Sequence, residues 1–165
     1  MSRRVVVNYL MQVPGTPQEV FPLLCPVREY EWIDTWDCKV IHTNSGVAEL
    51  DCVFRTAFPQ DGSLDTWVVS CYEPNQRIEF VRVNALRTIH FCIHLENAED
   101  GQSSWRWTHT LTGLTEEGDQ LIANITNAVF AQRLSVLEQK LSHFLRTGLM
   151  LCNNDAVSLA NSGRR

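Results

Sequence analysis

The sequence predicts an α+β domain in which a curved, seven-stranded antiparallel sheet wraps around one long C-terminal helix. Three observations indicate this fold class. A strand-like N-terminal segment precedes two short helical segments, residues 36–114 have the character of strands separated by turns, and no proline interrupts residues 118–165. An antiparallel sheet of this length has to cover one face, and a terminal helix is the element available to do so.

The first strand and the two short helices are predicted from the first 33 residues. Residues 2–13 alternate in side-chain character, which is typical of a strand, and a proline-glycine turn follows. Thr16 and Glu19 have the spacing of a capping box at the start of a helix that Pro22 keeps short. A second short helix is expected at 27–33.

Six further strands are predicted between residues 36 and 114. Their segments contain many β-branched and aromatic side chains, and short stretches of Asn, Gly, Asp, Ser and Pro separate them. Such short connections imply an antiparallel meander. The predicted strands are 37–43, 47–58, 64–73, 77–84, 87–96 and 103–114.

One long helix of roughly 30 residues, about 45 Å in length, is predicted to follow the strands. Thr115 is its expected N-cap and Gly148 its C-terminal stop. Large apolar residues recur at helical spacing along its second half, whereas Ile125, Ala128 and Val129 near its start are smaller. We therefore expect free space between the sheet and the start of this helix.

Composition and charge exclude several classes of protein. The chain has 165 residues, of which 44% are hydrophobic and 20% charged, as in an ordinary globular domain. Its formal net charge of −5 argues against nucleic acid as a partner. No apolar run approaches the roughly 20 residues that span a bilayer, and no signal-peptide core follows the N-terminus. We therefore expect a cytoplasmic protein without integral membrane association, with a single domain at 1–150 and a frayed tail at 151–165.

The cysteines and histidines predict neither a metal site nor a cofactor. The six cysteines are at least thirteen residues apart and form no C-x-x-C motif, so we expect free thiols. His90, Cys92 and His94 project from one face of a strand, but the opposite face is the apolar one. The two histidines should therefore face outwards, about 13 Å apart, which is too far to share one ion.

Several segments of the chain carry a resemblance to a known superfamily. These segments are 20–29 with Trp32 and Trp36, the strand-to-helix junction at 107–110 and 114–118, and the helix end at 141–148. Together with the order of elements they resemble, over residues 4–148, an uncharacterised bacterial subgroup of the SRPBCC (START/birch-allergen/polyketide cyclase-like) superfamily. The resemblance implies a helix-grip fold. Asp34-Thr35 departs from it, because the subgroup has Pro-Gly there. The superfamily includes carriers, receptors and cyclases, so the fold does not fix a function.

The leading functional hypothesis is a cavity between the sheet and the C-terminal helix that binds a small hydrophobic or amphipathic molecule of the lipid, polyketide or aromatic type. The first alternative is a cyclase- or dehydratase-like enzyme that uses His109, with Tyr72 as a candidate partner, for proton transfer. The second is a protein-partner module, and a homodimer is a further option. The residues expected to line the cavity are Trp32, Trp36, Leu50, Cys52, Phe54, Trp67, Val69, Phe91, Trp105, Trp107, His109, Ile125 and Val129.

Two details of this cavity are predicted more closely. His109 shares its strand face with Trp107, so we expect it to be the polar contact of a ligand held near the start of the helix, with the Trp32–Trp36 loop as a lid. Arg82 breaks the apolar pattern of its strand. It either anchors an acidic ligand group or is exposed at the strand end.

Overall fold

The computed structural model describes residues 1–153. Residues 154–165 make up most of the predicted tail and lie outside the described residues, so the prediction for 151–165 stays a prediction.

Seven strands form one curved antiparallel sheet, as predicted. They are β1 (Arg4–Val13), β2 (Lys39–His42), β3 (Val53–Thr56), β4 (Asp65–Glu73), β5 (Arg77–Val83), β6 (Arg87–Glu99) and β7 (Gln102–Gly113). Their order in the sheet is β1-β7-β6-β5-β4-β3-β2. Strands β2 to β7 form a meander, and β1 pairs with β7 to form one edge of the sheet.

Short helical segments follow β1, which confirms that part of the prediction. The backbone N–H of Thr16 donates to the Glu19 carboxylate at 2.8 Å, at the start of helix α1 (Pro17–Val20). Two 3-10 turns follow it, at Phe21–Leu24 and Glu29–Glu31. The second predicted helix, 27–33, is therefore only a 3-10 turn.

The inner face of the sheet forms the core of the protein. One cross-strand row on this face joins Val69, Phe80, Phe91, His109 and Val7, in that order across five strands. All of these except His109 are buried, as strand alternation predicts.

A bulge in β4 displaces the pattern by one residue. The register with β5 shifts between Val69 and Cys71, so that Tyr72, and not Cys71, pairs with Ile78. Tyr72 therefore joins the inner row that continues through Ile93 to Trp107.

Residues 47–52 do not belong to a strand, contrary to the prediction for 47–58. The chain turns just before β3, and Asp51 has a φ angle of 65°. Cys52 and Phe54 beyond the turn are buried, but Leu50 is 54% exposed, so the prediction that Leu50 faces the interior is wrong. Alternation places a side chain on the inner face only while the backbone remains extended.

The long C-terminal helix is confirmed, but its predicted start is wrong. The chain forms two helices, α2 (Glu116–Ala123) and α3 (Asn127–Thr147), and only the second is long. Thr115 caps α2 as predicted, because its hydroxyl oxygen accepts from the backbone N–H of Gly118 at 3.0 Å. Thr126 does the same for α3 through Val129, at 3.3 Å. A second N-cap therefore replaces the continuous helix.

The break changes which residues of the helix face the core. Phe130, Leu134 and Leu141 of α3 are buried, whereas Ala128 is exposed and cannot fill interior space. Ile125, in the break, is partly buried against the core. No helix within residues 1–153 is both long and apolar enough to cross a membrane.

Candidate ligand-binding interior

An apolar cavity of about 250 Å³ lies between the 3-10 turn at Phe21–Leu24 and the inner face of the sheet. Its wall includes Phe21 and Cys25 from the segment after α1, Val47 and Ala48 from the turn before β3, and Tyr72 and Ile78 from β4 and β5. The bulge in β4 creates this site, because it turns Tyr72 to the inner face.

The polar side chains that line the cavity are those of Cys25, Arg28 and Tyr72. The thiol of Cys25 accepts a hydrogen bond from the backbone N–H of Ala48 at 3.1 Å, which holds the two walls together. The Phe21 ring meets the Tyr72 ring edge-on, with 5.3 Å between centroids. Burial raises the pKa of the Tyr72 hydroxyl above its ordinary value, so that this group is a neutral hydrogen-bond donor at pH 7.

His109 lies under the first turn of α3. Its ring is 4.2 Å from the centroid of Phe91 and 4.7 Å from that of Phe130. Its Nε2 atom is buried and has no hydrogen-bond partner within the described part of the chain. Burial, followed by the positive charges of Arg82 and Arg87, lowers the pKa of His109 to about 3. The imidazole is therefore neutral at pH 7.

The indole nitrogen of Trp107, on the same strand as His109, is a second unsatisfied buried atom. Its indole Nε1, a donor only, is buried without a partner among residues 1–153. Trp107 and His109 are two residues apart, so both project from the inner face of β7. Unsatisfied buried polar atoms are rare in native proteins, and here two of them are neighbours on one strand.

His109 and Tyr72 are not neighbours. They lie in adjacent inner rows but on β7 and β4, three strand spacings apart, which corresponds to about 14 Å across the sheet. Of the residues that the sequence predicted for the site, Tyr72 lines the apolar cavity and the tryptophans and phenylalanines of the sheet belong to the packed core around it.

Solved structures share this architecture, although no family model and no curated protein matches the sequence. Norcoclaurine synthase from Thalictrum flavum, in complex with dopamine and hydroxybenzaldehyde, is 10% identical, with 87% of each chain covered and a TM-score of 0.61. Ara h 8.0201 is 13% identical over 88% of this chain and 99% of its own, with a TM-score of 0.62. The Aha1 dimer from Colwellia psychrerythraea is 17% identical over 84% and 96%, with a TM-score of 0.57.

The protein has the same helix-grip fold as these solved structures. At this level of identity the likeness concerns the fold, and the functional residues of the domain have to be argued from its own side chains.

The Trp32–Trp36 loop of this helix-grip domain is anchored by several contacts, and its role as a lid stays a prediction. The indole N–H of Trp32, which is completely buried, donates to the Leu23 carbonyl at 2.9 Å, and that of Trp36 donates to the Pro26 carbonyl at 2.8 Å. Asp34, at the position where the sequence departs from the family pattern, forms an ion pair with Lys140 of α3. Lys140 is only 2% exposed, so this pair fastens the loop to the helix.

A buried ionic cluster lies at the end of the inner face where β4 and β6 begin. We define it as Asp61, Asp65, Arg82 and Arg87. Asp65 accepts from Nε of Arg82 at 2.6 Å and from both terminal nitrogens of Arg87 at 3.1 Å. Asp61 is bonded to Arg82 and lies 3.4 Å from Arg87. The two positive and two negative charges balance.

Arg82 was the only member of this cluster that sequence reasoning selected, and it is buried, not exposed at a strand end. A signal for two others was present. Asp65 has the inward parity of Trp67 on β4, and Arg87 has that of Ile89 on β6, so each interrupts an apolar row as Arg82 does. Asp61 lies in a loop, where no alternation exists to reveal it.

The outer face carries the histidine motif as predicted. His90 is exposed, and its Nε2 lies 3.0 Å from the carboxylate of Glu79 on the neighbouring strand. The Cys92 thiol donates to the same carboxylate at 3.6 Å. No group of three or more ligands within residues 1–153 has the geometry to hold a metal ion.

Proposed function

We propose that the protein binds a small apolar or amphipathic molecule in the cavity beside Phe21 and Tyr72. The observation that carries the proposal is the cavity itself, which is apolar on most of its wall and has the neutral hydroxyl of Tyr72 and the charged side chain of Arg28 as polar groups that can orient a ligand. Ligand sites in proteins combine apolar walls and few polar groups in this way.

The size of the cavity limits its occupant. A volume of 250 Å³ corresponds to the liquid volume of about eight water molecules. A single-ring or fused two-ring aromatic compound, or a short acyl chain, fits such a space, whereas a complete lipid does not. The norcoclaurine synthase of the same fold was solved with dopamine and hydroxybenzaldehyde, which are single-ring aromatic compounds.

Indole is a suitable probe, because it is small, neutral and mainly apolar, with one hydrogen-bond donor. We expect isothermal titration calorimetry to detect its binding to the wild-type protein. Ala48→Leu should abolish that binding, because Ala48 is buried in the cavity wall and a larger side chain there fills the space.

The matched control is Ala98→Leu, the same substitution at an exposed position near the end of β6. It should leave the binding of indole unchanged. Equal binding of indole to Ala48→Leu and to the wild type, or no binding to any of the three proteins, would show that the proposal is wrong.

Proton-transfer catalysis is a second candidate, and one observation favours it. His109 has a buried Nε2 without a partner among residues 1–153, which is free to exchange a proton with a bound substrate, but a pKa of about 3 makes this imidazole a weak base at pH 7. Such an enzyme would have to place the reacting group beside His109 without the help of Tyr72, since these residues lie three strands apart.

A further inference from the structure

The loop between β3 and β4, residues 57–64, covers the part of the inner face that contains the ionic cluster. It makes contact through the side chains of Phe58 and Asp61 and through the Asp61 carbonyl, which accepts a hydrogen bond from the Asn84 side chain at 3.4 Å. The ring of Phe58 lies 5.5 Å from that of Trp36, and the carboxylate of Asp61 is bonded to Arg82. The loop therefore places an aromatic ring and a carboxylate, three residues apart, on one continuous surface.

That surface consists of aromatic rings and guanidinium groups. The rings of Trp36 and Trp67 are 6.5 Å apart, and the guanidinium carbon of Arg82 lies 4.4 Å above the ring of Trp67. Arg87 completes it beside Arg82. An apolar aromatic area next to two guanidinium groups is complementary to a molecule that has a ring at one end and an acid group at the other.

Asp61 and Asp65 differ in how firmly they are held. Asp65 is completely buried on β4, and four nitrogen–oxygen contacts bind it to the two arginines. The side chain of Asp61 is 15% exposed, and it lies in a loop whose backbone hydrogen bonds, Asp61 to Phe58 and Gly62 to Pro59, are internal. The loop therefore has its own local structure, and the contacts of Phe58 and Asp61 hold it against the strands.

Lifting of the loop changes the charge of the surface. With Asp61 in place the ionic cluster is neutral. Without it, two guanidinium groups face one remaining carboxylate, that of Asp65, and the net charge becomes +1. A buried positive charge of this kind is unfavourable until an anion binds to it.

We propose that residues 57–64 occupy a binding site for an aromatic carboxylic acid, in which the ring of the ligand replaces Phe58 and its carboxylate replaces Asp61. The site is distinct from the cavity beside Phe21 and Tyr72 and does not depend on it. The bound acid pairs with Arg82 and Arg87, while Asp65 keeps both arginines oriented.

The test uses 1-naphthaleneacetate and its neutral amide, 1-naphthaleneacetamide, which have nearly the same shape. Asp61→Ala removes the competing carboxylate. We expect it to lower the dissociation constant of the acid about tenfold, as measured by isothermal titration calorimetry, because two charge-assisted hydrogen bonds become available without displacement of Asp61. The dissociation constant of the amide should change little.

Two further variants make the result specific. Asp61→Asn keeps the shape of the side chain and removes its charge, so it should give a smaller gain in the same direction, and it serves alone if Asp61→Ala does not fold. Glu99→Ala makes the same change in net charge at the opposite end of β6, about 40 Å along the strand from Arg87, and should leave both affinities unchanged.

The proposal is overturned if neither Asp61 variant binds the acid more tightly, or if acid and amide gain equally. Ala48→Leu separates this site from the cavity, because it should abolish the binding of indole and leave unchanged the gain in affinity for 1-naphthaleneacetate that Asp61→Ala produces.

Discussion

Glu29 and His109 have pKa values far from their ordinary ones. Both side chains are partly exposed, but their ionisable groups are buried, and both shifts favour the neutral form. Burial raises the pKa of Glu29 to about 8 and is the main reason that the pKa of His109 falls to about 3. Each group is therefore neutral in the folded protein over a pH range in which it is charged in the unfolded chain.

The stability of the Glu29→Gln variant relative to the wild type should increase as the pH rises. The unfolded carboxyl group loses its proton near pH 4.5 and the folded one near pH 8, so the wild type loses stability as the pH increases through this window. With allowance for partial exposure, we expect the free energy of unfolding of Glu29→Gln to gain about 2 kcal/mol on the wild type between pH 5 and pH 8. Urea denaturation at both pH values measures it, with the exposed Glu99→Gln as control. A constant difference would show that Glu29 is solvated.

His109→Gln should show the opposite trend. Below about pH 6.5 the unfolded histidine binds a proton that the folded one does not bind until about pH 3, so the wild type loses stability as the pH falls through this window. Between pH 7 and pH 5 this loss amounts to about 2 kcal/mol, and the variant should not have it. His42→Gln, at an exposed histidine on β2, is the control and should follow the wild type. If His109→Gln loses as much stability as the wild type between pH 7 and pH 5, the interpretation is wrong, because the imidazole is then protonated in the folded state.

At the scale of elements, a single buried ion pair connects the segment after α1 to the C-terminal helix. Asp34 comes from the Trp32–Trp36 loop and Lys140 from the middle of α3, and Asp34 also accepts from the backbone N–H of Asn153 at 2.8 Å. The acid that replaces the expected Pro-Gly thus has a structural role, because without it Lys140 would be a buried charge with no partner.

Asp34→Ala should therefore destabilise the protein by about 3 kcal/mol, because it leaves that charge uncompensated. Adding Lys140→Met should recover part of this loss, since methionine fills similar space without a charge. A double-mutant cycle from chemical denaturation measures the coupling. Strictly additive costs of the two substitutions would contradict the interpretation, and would mean that Lys140 reaches solvent when its partner is removed.

The elements that the sequence predicted well are those in which one physical rule acts over many residues. Alternation identified β4 to β7 and the side of each that faces the core. It failed at Leu50 because the turn at Asp51 ends the extended backbone, and helical spacing failed at Thr126 because a good N-cap can begin a new helix where no proline ends the old one. The ionic cluster depends on the loop carrying Asp61, and periodicity gives no information about loops.

At the scale of the whole molecule, the position of the cavity was beyond sequence reasoning. Parity correctly placed Trp67, Phe91 and Trp107 inside, but an inward side chain either fills the core or lines a cavity, and the distinction depends on how far the helices stand from the sheet. In this protein the space under α3 is filled by Phe130 against His109, and the cavity lies beside the short segment after α1.

The last prediction concerns which face of the sheet is turned towards the helices, and it tests the fold independently of any ligand. Every strand should tolerate substitution on one face and not on the other. Phe91→Ala should lower the free energy of unfolding by about 3–5 kcal/mol, because Phe91 is buried among the rings of Phe80, Trp107 and His109 and its loss leaves a void. His90→Ala, one residue away on the outer face, should cost less than about 1 kcal/mol.

The neighbouring strand supplies a second pair of positions, which makes the test independent of any local shift in β6. Phe80 is buried on β5 and Val81 is exposed beside it, so Phe80→Ala should be costly and Val81→Ala nearly neutral. Chemical denaturation of the four variants gives the comparison. Large costs at both inner positions and small ones at both outer positions are expected, because the two strands pair in register, Phe80 with Phe91 and Val81 with His90. A reversed order at either strand would place the helices on the other face of the sheet, which would remove the basis for both binding sites.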